Sequence, residues 1–164
     1  MTIASTSLHD LANAPCHHIS AGDTVKLAVV RAPEHADDVC VSFEVWEPGG
    51  SQPPNSHPRS VEMFWFVAGE GIATSDGVEM AVCAGQLLVL PPGSVHHIRN
   101  TGPGRMYALT TMSPDDGFAD LITAGPATIL DDDDLAVARN LAHFDVTADL
   151  DVTEDLGVTE DLGE

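Results

Sequence analysis

The chain has 164 residues, 43% of them hydrophobic and only 5% aromatic, and carries a formal net charge of −20. That length allows one domain with an adequate core plus terminal extensions, and it leaves no room for a second full domain. A surface this acidic repels nucleic-acid phosphates and anionic membranes, so neither is expected as a partner.

The acidity is uneven: residues 131–164 hold 12 acids and only Arg139, against 14 acids and five bases over 1–130. Cys16, Cys40 and Cys83 are odd in number and lack CxxC spacing, which fits reduced thiols in a cytoplasmic protein better than a disulfide framework or a Cys-based zinc site. The N-terminal residues have no early Lys or Arg and no unbroken apolar core, so no secretory signal is expected. No apolar run approaches the roughly 20 residues of a membrane span.

Residues 1–22 are polar and mixed, and predict an arm with little regular structure. From Val25 the chain becomes strand-like, VKLAVVR and then VCVSFEVWEP, rich in β-branched and aromatic residues. Three further short runs lie between Glu62 and Pro92, with Asp76-Gly77 a strong hairpin signal. VHHIRN and RMYALTTM supply the last strands, and Gly49, Gly69, Gly85 and Gly93 mark turns. Many short strands with few helical patterns predict an all-β closed barrel or sandwich over 23–112. Helical segments follow over 113–144. Ser113-Pro114-Asp115-Asp116 predicts one helix start, with Ser113 capping and Pro114 first. The acids Asp131 to Asp134 predict a second, through capping and solvation. The end repeats VTADLD, VTEDLG, VTEDLG, which carries too few apolar groups for a core and predicts a flexible acidic tail over 145–164.

Side chains on a strand alternate faces, which puts Asn55 and His57 on one face and Glu62 on the face of Phe64 and Phe66. A carboxylate pointing where the hydrophobics point costs several kcal/mol or more unless a positive partner meets it, and no Lys or Arg follows that parity. A metal cation would satisfy it. His57, Glu62 and His96 make a two-His, one-carboxylate set, suited to non-haem Fe(II), while Mn, Ni, Zn or Cu can use the same ligands. His97, as the neighbour of His96, points the other way.

Two motifs carry a family resemblance. Gly49, Asn55, His57, Glu62 and Gly69 are spaced as in the first cupin motif, with Asn55 standing where the family has a His, and Gly85, Pro91, Gly93, His96 and Asn100 match the second without departure. The chain resembles the cupin superfamily, and small single-domain, quercetinase-like bacterial cupins in particular. The resemblance implies a double-stranded β-helix barrel with short C-terminal helices and an acidic tail. It implies a divalent metal held by His57, Glu62 and His96, with Asn55 as a ligand or as a partner of metal-bound water, and iron as first choice. It further implies an Fe-dependent dioxygenase acting on a small apolar or aromatic molecule, with Glu62 doubling as a base. A non-redox isomerase, cyclase or lyase and a non-catalytic small-molecule-binding module are the rivals. Phe64, Phe66, Ile98, Tyr107 and Met112 are candidates to line the pocket, whose runs FWFVA and LLVL offer few inward polar groups. A homodimer is expected, because Trp46 or the outward-phase Trp65 would otherwise hold a large ring in water.

Overall fold

A computed structural model describes residues 6–33 and 38–142. The repeat tail of 145–164 lies outside the described residues. Strands β1 (Cys16–His17), β2 (Val25–Arg31), β3 (Cys40–Trp46), β4 (Val61–Ala68), β5 (Glu70–Ser75), β6 (Val78–Cys83), β7 (Leu87–Leu90), β8 (His96–Asn100), β9 (Met106–Ser113) and β10 (Ala127–Thr128) are joined by helices α1 (Phe118–Thr123) and α2 (Asp132–Ala142). They build a seven-stranded sheet, ordered β10-β1-β2-β3-β9-β4-β7, and a three-stranded sheet, β6-β5-β8. All the pairings are antiparallel, and inward residues of both sheets share one core that includes Val25, Leu27, Trp46, Phe64, Phe66, Ala73, Ile98 and Met106. Burying side chains of this size contributes roughly 1.5–3 kcal/mol each.

The predicted turns are present. Asp76 and Gly77 both take positive φ (49° and 81°), as a two-residue hairpin between β5 and β6 requires. At Gly69 (φ 84°) a Cβ would lie 2.7 Å from the Cα of Met106, so the sharp step from β4 to β5 admits no side chain.

Three expectations give way. The 1–22 arm contributes β1, whose Cys16–His17 pairs with both β2 and β10 and extends the large sheet. The first helix starts later than Ser113-Pro114 suggests, because Ser113 is still paired in β9 opposite Val61, and the left-handed Asp116 and Gly117 turn the chain first. Asp115 then caps, its carboxylate accepting from the amides of Gly117 and Ala119. Trp46 is fully buried in the core and so cannot face a partner.

The acidic run before α2 does cap, since Asp131 and Asp134 accept reciprocally from each other's backbone amides. Solvation is the wrong picture for Asp134. It is completely buried, 2.8 Å from Lys26 Nζ and 2.9 Å from Arg105 Nη1, and the Tyr107 hydroxyl donates to it. That node fastens α2 to the outer face of the large sheet, over Phe43, Val45 and Tyr107.

Candidate metal centre and inner wall

Between Gly50 and Asn55 the chain runs antiparallel along β8 as an interrupted strand. Asn100 N donates to Gly50 O, Gln52 N to Ile98 O, and Asn55 and His96 exchange both backbone bonds. Pro53 and Pro54 have no amide to give, which explains the gap in this ladder. Because Asn55 sits directly opposite His96, their side chains leave on the same side. The strand alternation expected for Asn55 and His57 does not extend to His57, which lies in irregular chain. His57 is positioned instead by its carbonyl, which accepts from Gly93 N, and by the Phe118 ring packed edge-on at 5.5 Å.

Glu62 stands on β4 opposite Met112 and Leu90, nearly fully buried and in phase with Phe64 and Phe66 as the sequence predicts. His96 is buried on β8, while His97 lies on the opposite side and is half-buried. His57, Glu62 and His96 each bring one ligand atom to a common point, all within 4.8 Å of one another.

Glu62 Oε2 lies 2.9 Å from His96 Nε2 and 3.7 Å from His57 Nε2, yet it has no aligned hydrogen-bond partner. His96 Nδ1 is 3.1 Å from the Ser94 carbonyl, which can only accept, so the neutral ring carries its hydrogen on Nδ1 and leaves Nε2 as an acceptor beside Glu62. Two acceptors at 2.9 Å with no hydrogen aligned between them call for a positive charge beside both. Burial disfavours the His96 imidazolium, but the Glu62 carboxylate outweighs that and raises its pKa. A proton or a cation satisfies the pair. Bonds of about 2.1 Å place adjacent ligand atoms about 3 Å apart in an octahedron, so the donor set fits a divalent metal. Asn55 turns an amide toward the same side, with Nδ2 donating to Pro53 O and the buried Oδ1 unpartnered.

Of the residues expected to line a pocket, Phe64, Phe66, Ile98 and Met112 occupy the inner wall and Tyr107 does not. Along β9 the inward residues are Met106, Ala108, Thr110 and Met112; Tyr107 falls on the other parity, stacks on Phe43 at 5.9 Å and reaches Asp134 under α2. Asn100 serves the fold: its amide donates to the carbonyls of Trp46, Glu47 and Gly104.

The sequence reading missed a second polar group inside the barrel. Glu44 is fully buried among Leu27, Ala108 and Trp46, with Ser42 Oγ donating to one oxygen at 3.1 Å and Gln52 Nε2 to the other at 2.8 Å. Burial first, and the Glu62 charge second, push its pKa up to about 8. Thr110 steadies the charged form, although its hydroxyl is not aligned for a hydrogen bond. The signal was the period-two set Cys40, Ser42, Glu44, Trp46, which puts two polar groups in phase with a tryptophan. The inner wall is therefore more polar than FWFVA and LLVL suggest.

Residues 42–112 match the family model described as Cupin domain. The fold is that of the double-stranded β-helix proteins. A structure described as a predicted oxalate decarboxylase from Thermotoga maritima superposes with a TM-score of 0.59 at 20% identity, covering 65% of this chain and 97% of the other. An oxalate oxidase gives 0.53 at 22% identity, with 60% and 55% covered. In sequence, the chain is 32% identical over 73 residues to Germin-like protein 1-3 of Oryza sativa subsp. japonica (42% of this chain, 33% of that protein). It is 37% identical over 62 residues to Nectarin-1 of Nicotiana langsdorffii x Nicotiana sanderae (35% and 27%). The chain thus spans about a third of the length of these relatives. A specific likeness to quercetinase-like cupins is not among these matches.

Proposed function

We propose that the protein is a metal-dependent cupin oxidoreductase, an iron-dependent dioxygenase acting on a small molecule with an aromatic or apolar body. One observation carries this reading: the buried, unpartnered Glu62 oxygen beside the ring nitrogens of two histidines. Iron held by His57, Glu62 and His96 would supply a centre for redox chemistry with dioxygen, leaving positions free for substrate. Asn55 stands beside His96 and completes or tunes the centre through its free Oδ1. Phe64, Phe66, Ile98 and Met112 hold the substrate body and exclude water, and the second Glu62 oxygen accepts a substrate proton. The similarity to germin-like proteins, and the fold shared with an oxalate oxidase, support placing the chain among metal cupins.

The test is elemental analysis of protein purified without added metal, paired with oxygen uptake over a panel of small aromatic compounds. Iron near one per chain with oxygen consumption is expected. Zinc without oxygen uptake would move the reading to a non-redox isomerase, cyclase or lyase on the same ligands, and an empty site to a non-catalytic binding module.

We also propose a cytoplasmic homodimer. Its support is that Cys16, Cys40 and Cys83 are free thiols, and that Trp65, Leu87, Val89 and Leu109, exposed at 48%, 50%, 53% and 37%, adjoin one another on the outer face of β9, β4 and β7. No helix among the described residues is long and apolar enough to cross a membrane.

A further inference from the structure

Of the residues His57, Glu62 and His96, only His57 is carried by no strand. It lies between Asn55, paired to His96, and Val61, where β4 begins, and Pro53, Pro54 and Pro58 have no amides to lend to a ladder. Among the described residues, one backbone hydrogen bond holds the stretch 56–60, from Gly93 N to the His57 carbonyl at 2.8 Å. One such bond fixes a carbonyl but not the direction of a side chain. Two side-chain contacts supply the rest, and both reach the same short segment, 115–118. The His57 ring meets the Phe118 ring edge-on at 5.5 Å, and two residues further on Arg59 Nε and Nη2 both donate to Asp116 Oδ1, at 2.9 and 2.6 Å.

That segment is anchored without help from Arg59. The Asp115 carboxylate accepts from the amides of Gly117 and Ala119, the Asp115 amide donates to the Asp38 carbonyl at 2.9 Å, and Phe118, Ala119 and Ile122 are buried. The left-handed φ of 55° at Asp116 is one that Asp and Asn tolerate better than most residues with a side chain. An ion pair with its Arg exposed to solvent adds little to global stability. Its effect is local: it ties the stretch whose other contacts are fewest to one that is already fixed.

We propose that Arg59 and Asp116 are positioning residues, a clasp that holds the His57 ring against Phe118 and so keeps its Nε2 aimed at Glu62 in the His57–Glu62–His96 centre. This rests on reading that centre as a metal site, although neither clasp residue is a ligand. A clasp and a direct electrostatic effect predict opposite patterns. Through its field alone the Arg59 cation opposes a metal ion and the Asp116 anion favours one, so removing the two charges shifts affinity in opposite directions. In a clasp, either loss releases the same ring. Both then weaken binding, and the second loss adds nothing to the first.

The experiment titrates the full chain, stripped of metal, with Co(II), whose visible absorption reports ligand geometry. It compares the parent with Arg59→Gln, Asp116→Asn, the double variant and Arg59→Lys; Asn at 116 keeps the left-handed preference and removes only the charge. Both single variants should bind Co(II) about threefold to fivefold more weakly, within what an exposed ion pair can contribute, and with an altered spectrum, while the urea midpoint of the metal-free protein stays near the parent's. The double variant should match the singles, and Arg59→Lys should recover most of the affinity. Proton NOEs between the His57 and Phe118 rings, measured without metal, should be strong in the parent and weaker in both singles. This arm decides the clasp even where the parent binds no Co(II), a result that would overturn the metal reading alone. Affinity shifts of opposite sign, additive losses in the double variant, or ring NOEs unchanged by both substitutions would overturn the proposal.

Discussion

Replacing Glu44 by Gln should change how stability depends on pH more than it changes stability at any single pH. Glu44 is fully buried, and its pKa is raised from 4.5 to about 8 by burial and by the charge of Glu62, with a smaller push from Asp23, against the nearby Thr110 hydroxyl and the hydrogen bond from Ser42. The folded state therefore binds a proton that the unfolded chain releases, and between those values stability falls as pH rises. The contribution is fully present below 4.5 and lost by about 8. Each pKa unit is worth about 1.4 kcal/mol, so the ceiling over this window is about 5 kcal/mol, and about 2–3 kcal/mol of it falls between pH 5 and 7. A Gln at 44 has nothing to ionise. The Ser42 bond survives on its oxygen, and Gln52 can turn its unpartnered Oε1 to accept from the new amide. The assay is urea unfolding of metal-free wild type and Glu44→Gln at pH 5, 6, 7 and 8, metal being excluded because a cation would lower the Glu44 pKa. The two should be close at pH 5, with the variant gaining steadily above it. Stability curves that stay parallel from pH 5 to 8 would refute the argument and mean that Glu44 stays ionised in the fold.

His96→Ala should cost most of the bound metal with little change in helix or strand content, whereas His97→Ala should leave metal content intact; equal losses by elemental analysis would contradict the opposite facing of the two rings. Asn55→His adds an imidazole directly across from His96, and metal titration should show at least about tenfold tighter binding, an unchanged affinity placing residue 55 away from the metal. Trp65→Asp should shift the protein from dimer to monomer by light scattering at micromolar concentration, and a monomeric parent would contradict the outer-face reading. Asp134→Ala leaves Lys26 and Arg105 without their buried partner and removes one half of the helix cap, so unfolding should become easier by about 3 kcal/mol, with metal content unchanged.

What the sequence made legible was whatever depends on strand parity alone. Glu62 in phase with Phe64 and Phe66, His96 against His97, and the hairpin at Asp76-Gly77 need only the alternation of side chains and the turn chemistry of Gly, and all lie where those rules put them. His57 converges on the site for a different reason, since Pro53 and Pro54 interrupt its strand and contacts from Gly93 and Phe118 place it. Tyr107 shows the cost of neglecting parity: it is one residue from Met106 and Ala108, which point inward, and it points under α2 instead. The burial of Asp134 was not legible, because four consecutive acids give no sign of which one will meet Lys26 and Arg105 from strands far away in sequence.

Glu44 is the second carboxylate buried inside the barrel. Like Glu62, Glu44 is a carboxylate sharing a strand face with a large apolar ring, that of Trp46, but β3 carries no spaced motif to draw attention to it. The two carboxyls then solve the same electrostatic problem differently. Glu62 lies beside two imidazole nitrogens without an aligned hydrogen and calls for a cation. Glu44 accepts from one hydroxyl and one side-chain amide, and can instead stay neutral by holding a proton. A metal bound at Glu62 removes the negative charge that helps keep Glu44 protonated, so metal loading should lower the Glu44 pKa and make it a better acceptor. The two carboxyls are thereby coupled, with the charge state at Glu62 setting how firmly Glu44 holds its proton.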